Sequence, residues 1–371
     1  MKSYVRIVFI VAGLVAVCGG CVKKEPAPPE KSSNLTGDYL GQTPPRATPE
    51  LFAPGVVSTG LYERDVAMTP DGNELYFGLI TGDDVAIVVT KRENGVWTKP
   101  EIAPFCDDPT VFNLEPHITP DGKQFLFLST RPKEGQEKKQ GWVYQDIWAM
   151  DRKADGWGEP YNLGNPANKD EPVNTDAPEY YPSATRNGTL YFTREVTENG
   201  RSRSLIHRSR MIYLVHSEGG RYGKPEILPS AVNPGDAQFN AFIDPDERFL
   251  IVSIANYKDN IGRCDYYVCF RSDDDVWTGP INMGELINTP GNNVASPYVS
   301  PDGRYFFFAS TRRKQPAAAG QPGVGGQPGT SESARTYETI QQMATKPQNG
   351  NSDIYWIDAS FIETLRPKPG P

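Results

Sequence analysis

Apolar residues recur along the chain in runs too short for helices, and the same turn brackets them. Thr69-Pro70-Asp71-Gly72 is followed by Leu75-Tyr76-Phe77, Thr119-Pro120-Asp121-Gly122 by Phe125-Leu126-Phe127, and Ser300-Pro301-Asp302-Gly303 by Tyr305-Phe306-Phe307-Phe308. Two looser copies, Thr185-Arg186-Asn187-Gly188 before Leu190-Tyr191-Phe192 and Asp244-Pro245-Asp246-Glu247 before Phe249-Leu250-Ile251, bring the number to five. Proline fixes φ at the first corner, aspartate bonds its own backbone, and glycine accepts the positive φ. Each copy therefore predicts a hairpin.

A second signal is in phase with the first. Trp97-Thr98-Lys99-Pro100, Trp157-Gly158-Glu159-Pro160, Tyr222-Gly223-Lys224-Pro225 and Trp277-Thr278-Gly279-Pro280 all read aromatic-x-x-Pro, and each proline opens a strand ahead of the next turn. A further strand between turn and proline is clearest at Asp146-Ile147-Trp148 and Asp353-Ile354-Tyr355-Trp356. Four strands per unit, repeated about an axis, are propeller blades. The fifth unit stops after its third strand at about Arg366, while Thr48-Pro49-Glu50-Leu51-Phe52-Ala53 reads as a displaced proline-led strand. The expected fold is all-β: a single β-propeller of four-stranded blades over residues 49–366, five blades with six as the alternative. The N-terminal strand closes it, so that no sheet edge stays open.

Composition changes the picture in two places. Glycine (35) and proline (34) suit many turns and few helices. A formal net charge of −8 without a basic block excludes nucleic acid as the main partner. The N-terminus adds an address. Lys2 and Arg6, the apolar run Ile7–Val17 and small residues after it predict a secretory signal peptide over 1–20. Gly19-Gly20-Cys21 resembles the bacterial lipobox, with an ordinary signal peptide and an incidental cysteine as the alternative. The resemblance implies lipidation at Cys21 and a membrane partner through that anchor. It places the protein in the bacterial cell envelope, with the outer membrane favoured because Val22 follows the cysteine. Residues 21–48 are expected to be a Pro-rich flexible tether, about 314–350 a disordered insertion, and 367–371 a tail.

With S/T-P-D-G, L-x-F, S-x-R and D-I-Y elements, the repeats resemble the WD-like propeller repeat of the TolB type over about residues 49–366. Asn187 in place of Asp and Glu247 in place of Gly are departures from it. The resemblance implies the propeller, and it does not imply a place in the Tol system.

Features that repeat read as architecture. Arg131 and Arg312 on the second strands are expected to pair with Asp146 and Asp353 at the start of the third. Trp97, Trp157 and Trp277 are expected to pack between blades. Cys106, Cys264 and Cys269 are odd in number, so at least one thiol is free, and Cys264 and Cys269 face opposite ways on one strand. No C-x-x-C, H-E-x-x-H, P-loop or G-x-S-x-G motif occurs, Asp273-Asp274-Asp275 reads as a hairpin tip, and no metal or cofactor is implied.

Features that differ between blades point to recognition. Four places before each turn stand Asp65, Glu115, Tyr181, Asn240 and Ser296, predicted to ring one hydrated mouth of the central channel. Glu63, Arg64, Asn113, Glu179, Tyr180 and Gln238 are expected just outside, and the long loops 132–145, 195–209 and 313–351 on the same face. The expectation is a monomeric binding or scaffold module with a ligand site at Arg64, Asp65, Asn113, Glu115, Tyr181, Asn240 and Ser296. Its ligand would be an envelope protein, peptide or glycan. The alternative is a glycoside hydrolase drawing its carboxylates from Asp65, Glu115 and Glu179.

Overall fold

The structure, a computed structural model, describes residues 35–82, 84–164, 173–209, 211–213, 220–292, 296–313 and 344–368. The expected signal peptide, Cys21, the first part of the tether and most of the 314–350 insertion lie outside the described residues.

The Pro-Asp-Gly turns fold as their chemistry dictates. In the first, Thr69 Oγ1 donates to Asp71 Oδ1, Asn73 N donates back to the same oxygen, and Gly72 has φ +66°. Asn187 performs the aspartate's task in the third copy, accepting from Thr185 Oγ1 at 2.6 Å and from Thr189 N at 3.0 Å. Glu247 takes the glycine's positive φ, at +57°, in the fourth. Both departures keep the turn.

Every turn joins the first two strands of one antiparallel sheet. Tyr62–Met68, Glu74–Thr81 and Asp84–Glu93 lie side by side in blade 1, and Val96–Trp97 and Glu101–Ile102 pair the third strand as its outer edge. Blade 2 repeats this with Asn113–Ile118, Gln124–Ser129, Asp146–Lys153 and the pieces Gly156–Trp157 and Tyr161–Asn162. Blade 3 is Glu179–Ala184, Leu190–Glu198, Arg201–Ser209 and Glu226–Ile227, with a small offshoot pairing Met211–Tyr213 with Gly220–Tyr222. Blade 4 is Gln238–Ile243, Phe249–Ala255, Cys264–Phe270 and Ile281–Asn282. Blade 5 holds Tyr298–Val299, Tyr305–Ser310 and Asp353–Asp358, and its outer strand is Glu50–Leu51 from the other end of the chain. The propeller has five blades and is closed by the N-terminal strand.

Closure has a hydrophobic anchor. Phe52 N donates to Ile354 O at 2.9 Å, and the fully buried Phe52 ring meets Phe307 and Trp356 edge-on. The ordered fold begins earlier than the expected boundary at residue 49. Gly37 O accepts from Trp97 Nε1 at 2.8 Å, and Tyr39 packs on Tyr305 and Trp356. Residues 35–48, expected in the tether, thus include a segment lying across blades 5 and 1.

Arg131 and Arg312 do not pair with Asp146 and Asp353. Each instead donates to carbonyls of the linker entering its blade: Arg131 to Phe105 O, Arg312 to Leu286 O and Ile287 O. Arg194 does the same to Val173 O. Residues 195–209, expected as a loop, continue blade 3 as a hairpin from Glu198 to Arg201. The tryptophans do pack, with Trp97 and Trp277 buried and Trp157 against Phe125. Cys106, Cys264 and Cys269 are all free and buried, and Cys264 and Cys269 enter different core clusters.

Candidate functional site

At the inner strand of four blades the ladder slips by one residue, between Arg64 and Val66, Leu114 and His117, Tyr180 and Ser183, and Phe239 and Phe242. The slipped residues are Asp65, Glu115, Tyr181 and Asn240, all with φ between +50° and +58°. A bulge in the left-handed region re-aims its side chain away from the ladder. Here all four turn toward the axis. The five equivalent positions therefore converge as the sequence suggested. They are not hydrated: Asp65, Glu115, Tyr181, Asn240 and Ser296 are each 7% exposed or less.

The burial is explained by bonds between blades. Ser296 Oγ donates to Asp65 Oδ1, Tyr181 N donates to Glu115 Oε2 at 2.8 Å, and Tyr181 Oη donates to Pro297 O at 3.0 Å. Arg64 stands between the two carboxylates, with Nε 2.8 Å from Asp65 Oδ2 and Nη2 3.4 Å from Glu115 Oε1. Burial pushes the Glu115 carboxyl up, with Arg64 opposing and Asp65 adding to the rise. Burial disfavours the charge on Arg64, but the two carboxylates restore it and hold its pKa above the ordinary value.

The positions just outside have a different task. Glu63 Oε1 accepts from Thr59 N, Glu179 Oε2 from Thr175 N, and Gln238 Oε1 from Gly235 N. Asn113 donates to Val111 O and accepts from Ser129 Oγ. Each holds the linker that enters its blade. Glu179 is fully buried, and its second oxygen accepts from Thr175 Oγ1 and from Arg194 Nε at 2.7 Å. It is brought to the seam between blades, not to the carboxylates of Asp65 and Glu115.

Above the buried ring lies a cleft of about 290 Å³. Arg64, Glu115 and Asn240 form its polar floor, and Trp142, Tyr180 and Phe239 its aromatic wall. Trp142 is 46% exposed and meets Phe112 edge-on, while Tyr180 Oη is fixed by Glu195 Oε1 at 2.9 Å. Trp142 and Gln145 come from the loop 132–145, which reaches this face as expected. The sequence reading missed Trp142 and Phe239. An isolated tryptophan in a polar loop, outside the aromatic-x-x-Pro series, was the available signal.

The opposite, turn-bearing face has a larger hollow of about 500 Å³ beside blades 3 to 5. Its three arginines are already paired, Arg186 with Asp246 at 2.9 Å, Arg248 with Asp244 at 2.7 Å and Arg304 with Asp302 at 4.0 Å. The turn-face end of the channel is a cleft of about 180 Å³ bordered by Pro70, Pro120, Pro245 and Pro301. Size favours the first hollow, but the mouth combines exposed aromatic surface with a buried polar floor, the mixture that small-ligand sites share. Among the described residues no group of three or more His, Cys, Asp or Glu is placed to hold a metal.

No known family model matches the chain, and no curated protein matches it. Among solved structures it is similar to TolB from Acinetobacter baumannii, at 18% identity and a TM-score of 0.39, covering 67% of this chain and 49% of that one. The chain thus spans about half the length of that TolB. It is also similar to a glycoside hydrolase (10% identity, TM-score 0.46, 89% of this chain and 94% of that one). A third likeness is to an arabinanase from Bacillus subtilis (11% identity, TM-score 0.42, 67% and 89%). These likenesses carry no function to this chain.

Proposed function

We propose that this protein is a binding module of the bacterial cell envelope, anchored through a lipid on Cys21, that takes a protein, peptide or glycan ligand in the mouth cleft. The observation that supports this most is the pairing of a half-exposed Trp142 with a polar floor built from three blades. Flat aromatic surface gives contact area at low entropic cost, and fixed polar groups select orientation. Arg64, Glu115 and Asn240 would meet the ligand, with Asp65, Tyr181 and Ser296 holding the floor beneath them. The test is binding by the soluble protein, begun at Leu35, to bacterial-envelope glycans and purified outer-membrane proteins. Ligands that bind parent but not Trp142→Ala support the reading. Binding indifferent to Trp142 removes it.

One observation favours hydrolysis as a second reading. Burial raises the Glu115 carboxyl toward the range of a general acid, with Asp65 next to the same guanidinium. Glu179, held by Arg194 and Thr175, has no free oxygen to join them. If this reading holds, Glu115→Gln abolishes glycan turnover and keeps affinity.

A further inference from the structure

The seam between blades 2 and 3 and the seam between blades 5 and 1 are built alike. In the first, Glu179 N donates at 2.9 Å to the carbonyl of Gln145, the residue before Asp146; in the second, Glu63 N donates at 3.0 Å to the carbonyl of Ser352, the residue before Asp353, whose charge Glu63 feels. All four residues are at most 2% exposed. In the first seam each has its cation: Arg194 lies 2.7 Å from Glu179, and Lys133 lies 3.0 Å from Asp146. In the second, Leu79 occupies the register position opposite Glu63 that Arg194 occupies opposite Glu179.

The consequence is written in the hydrogen bonds. Glu63 Oε1 is held by Thr59, and Asp353 Oδ2 accepts from Gln348 N at 2.7 Å. Glu63 Oε2 and Asp353 Oδ1 are buried without a hydrogen-bond partner. Arg313 and Lys346, on the segments that meet Gly350 and Gly60 here, are both exposed. Two buried carboxylates without a counter-charge are costly. Burial raises both, Glu63 to about 7 and Asp353 to about 6, and the charge of Asp353 adds to the rise of Glu63.

We propose that Glu63 and Asp353 together hold a hard divalent cation, best matched by Ca2+, at the seam where the last blade meets the first. The open valences are both carboxylate oxygens, and oxygen-only sites select Ca2+ or Mg2+ over the thiol- and imidazole-seeking metals. Ca2+ tolerates irregular coordination completed by water, whereas Mg2+ demands a near-ideal octahedron. The cation supplies in this seam what Arg194 and Lys133 supply in the other. It would also tie the first inner strand to the last blade, reinforcing the closure made by Glu50–Leu51.

The experiment uses the protein stripped with a chelator and then titrated with CaCl2, read by calorimetry and by melting. The expected result is one Ca2+ per chain, with a dissociation constant in the range of about 10 μM to 1 mM and a rise in melting temperature of about 3 °C or more at saturation. The Glu63→Gln/Asp353→Asn double variant should lose both responses. Leu79→Arg, which gives blade 1 the arginine of blade 3, should also lose them and melt no lower than the stripped parent. No heat and no shift up to about 10 mM Ca2+ would overturn the proposal, because the pair would then be neutralised by protons alone. A Leu79→Arg protein that keeps the full Ca2+ response overturns it too, and does so even if the double variant fails to fold.

Discussion

His117 shows how far a single residue can depart from its sequence context. It stands in a predicted inner strand, 6% exposed, with Nε2 accepting from Ala184 N across the blade 2–3 seam. Burial lowers its pKa to about 4, and lowers that of His207 to about 4 as well. The unfolded chain therefore binds more protons than the native state between about pH 6.5 and 4, and stability falls as the pH drops through that window. For His117 the effect approaches about 3 kcal/mol. In melting curves, His117→Gln, whose amide oxygen can still accept from Ala184 N, should flatten the decline between pH 6.5 and 4. An unchanged slope would mean the imidazole is not the group responsible. Glu63 runs the opposite way: raised to about 7, it stabilises fully below about pH 4.5 and loses that contribution as the pH rises through 7. Bound Ca2+ would cancel this loss by keeping the carboxylate ionised. None of these shifts was legible in the sequence, because burial at one residue depends on the neighbouring blade.

At the scale of strands and turns, legibility was uneven for physical reasons. The Pro-Asp-Gly turns were plain because their chemistry is local, and Pro49 betrayed the closing strand because it recurs in phase. The bulges at Asp65, Glu115, Tyr181 and Asn240 were not plain, since none carries the glycine that usually marks positive φ. One repeated signal went unread. Val173-Asn174-Thr175, Val232-Asn233-Pro234 and Ile287-Asn288-Thr289 each place an asparagine that bonds both N and O of a third-strand residue in the preceding blade, Ile147, Ile206 and Tyr266. Ser58 does this for Ile354 at the closure. Deleting residues through Thr59 therefore removes the Glu50–Leu51 strand, the buried Phe52 and the Ser58 clamp together. Scanning calorimetry should show a fall of more than about 10 °C, or aggregation through the exposed edge. A truncated protein that melts like the parent would refute closure by this segment.

For the whole molecule, repetition made the ring readable and divergence made the mouth suspect. The five positions before the turns do converge, but they are buried, Glu115 and Asn240 in the floor of the cleft and Asp65, Tyr181 and Ser296 beneath it, because Arg64 takes up both carboxylates and hydrogen bonds between blades hold Ser296 and Tyr181. Recognition would then draw on the aromatic wall together with the floor, and because Glu115 and Tyr181 also bond between blades, their removal tests stability as much as binding. Trp142 and Tyr180 are cleaner probes. The turn-bearing face, with Asn73, Lys123 and Arg304 beside its repeated turns, serves as the control surface. The most direct measurement is a side-by-side binding titration of parent, Trp142→Ala/Tyr180→Ala and Asn73→Ala/Lys123→Ala/Arg304→Ala against the same immobilised envelope glycans and outer-membrane proteins, with melting followed in parallel. Two removed aromatic hot spots should weaken binding at least about 30-fold, with melting within about 2 °C of the parent and the turn-face variant unaffected. Binding that survives the mouth changes and collapses with the turn-face ones would contradict the assignment of the site.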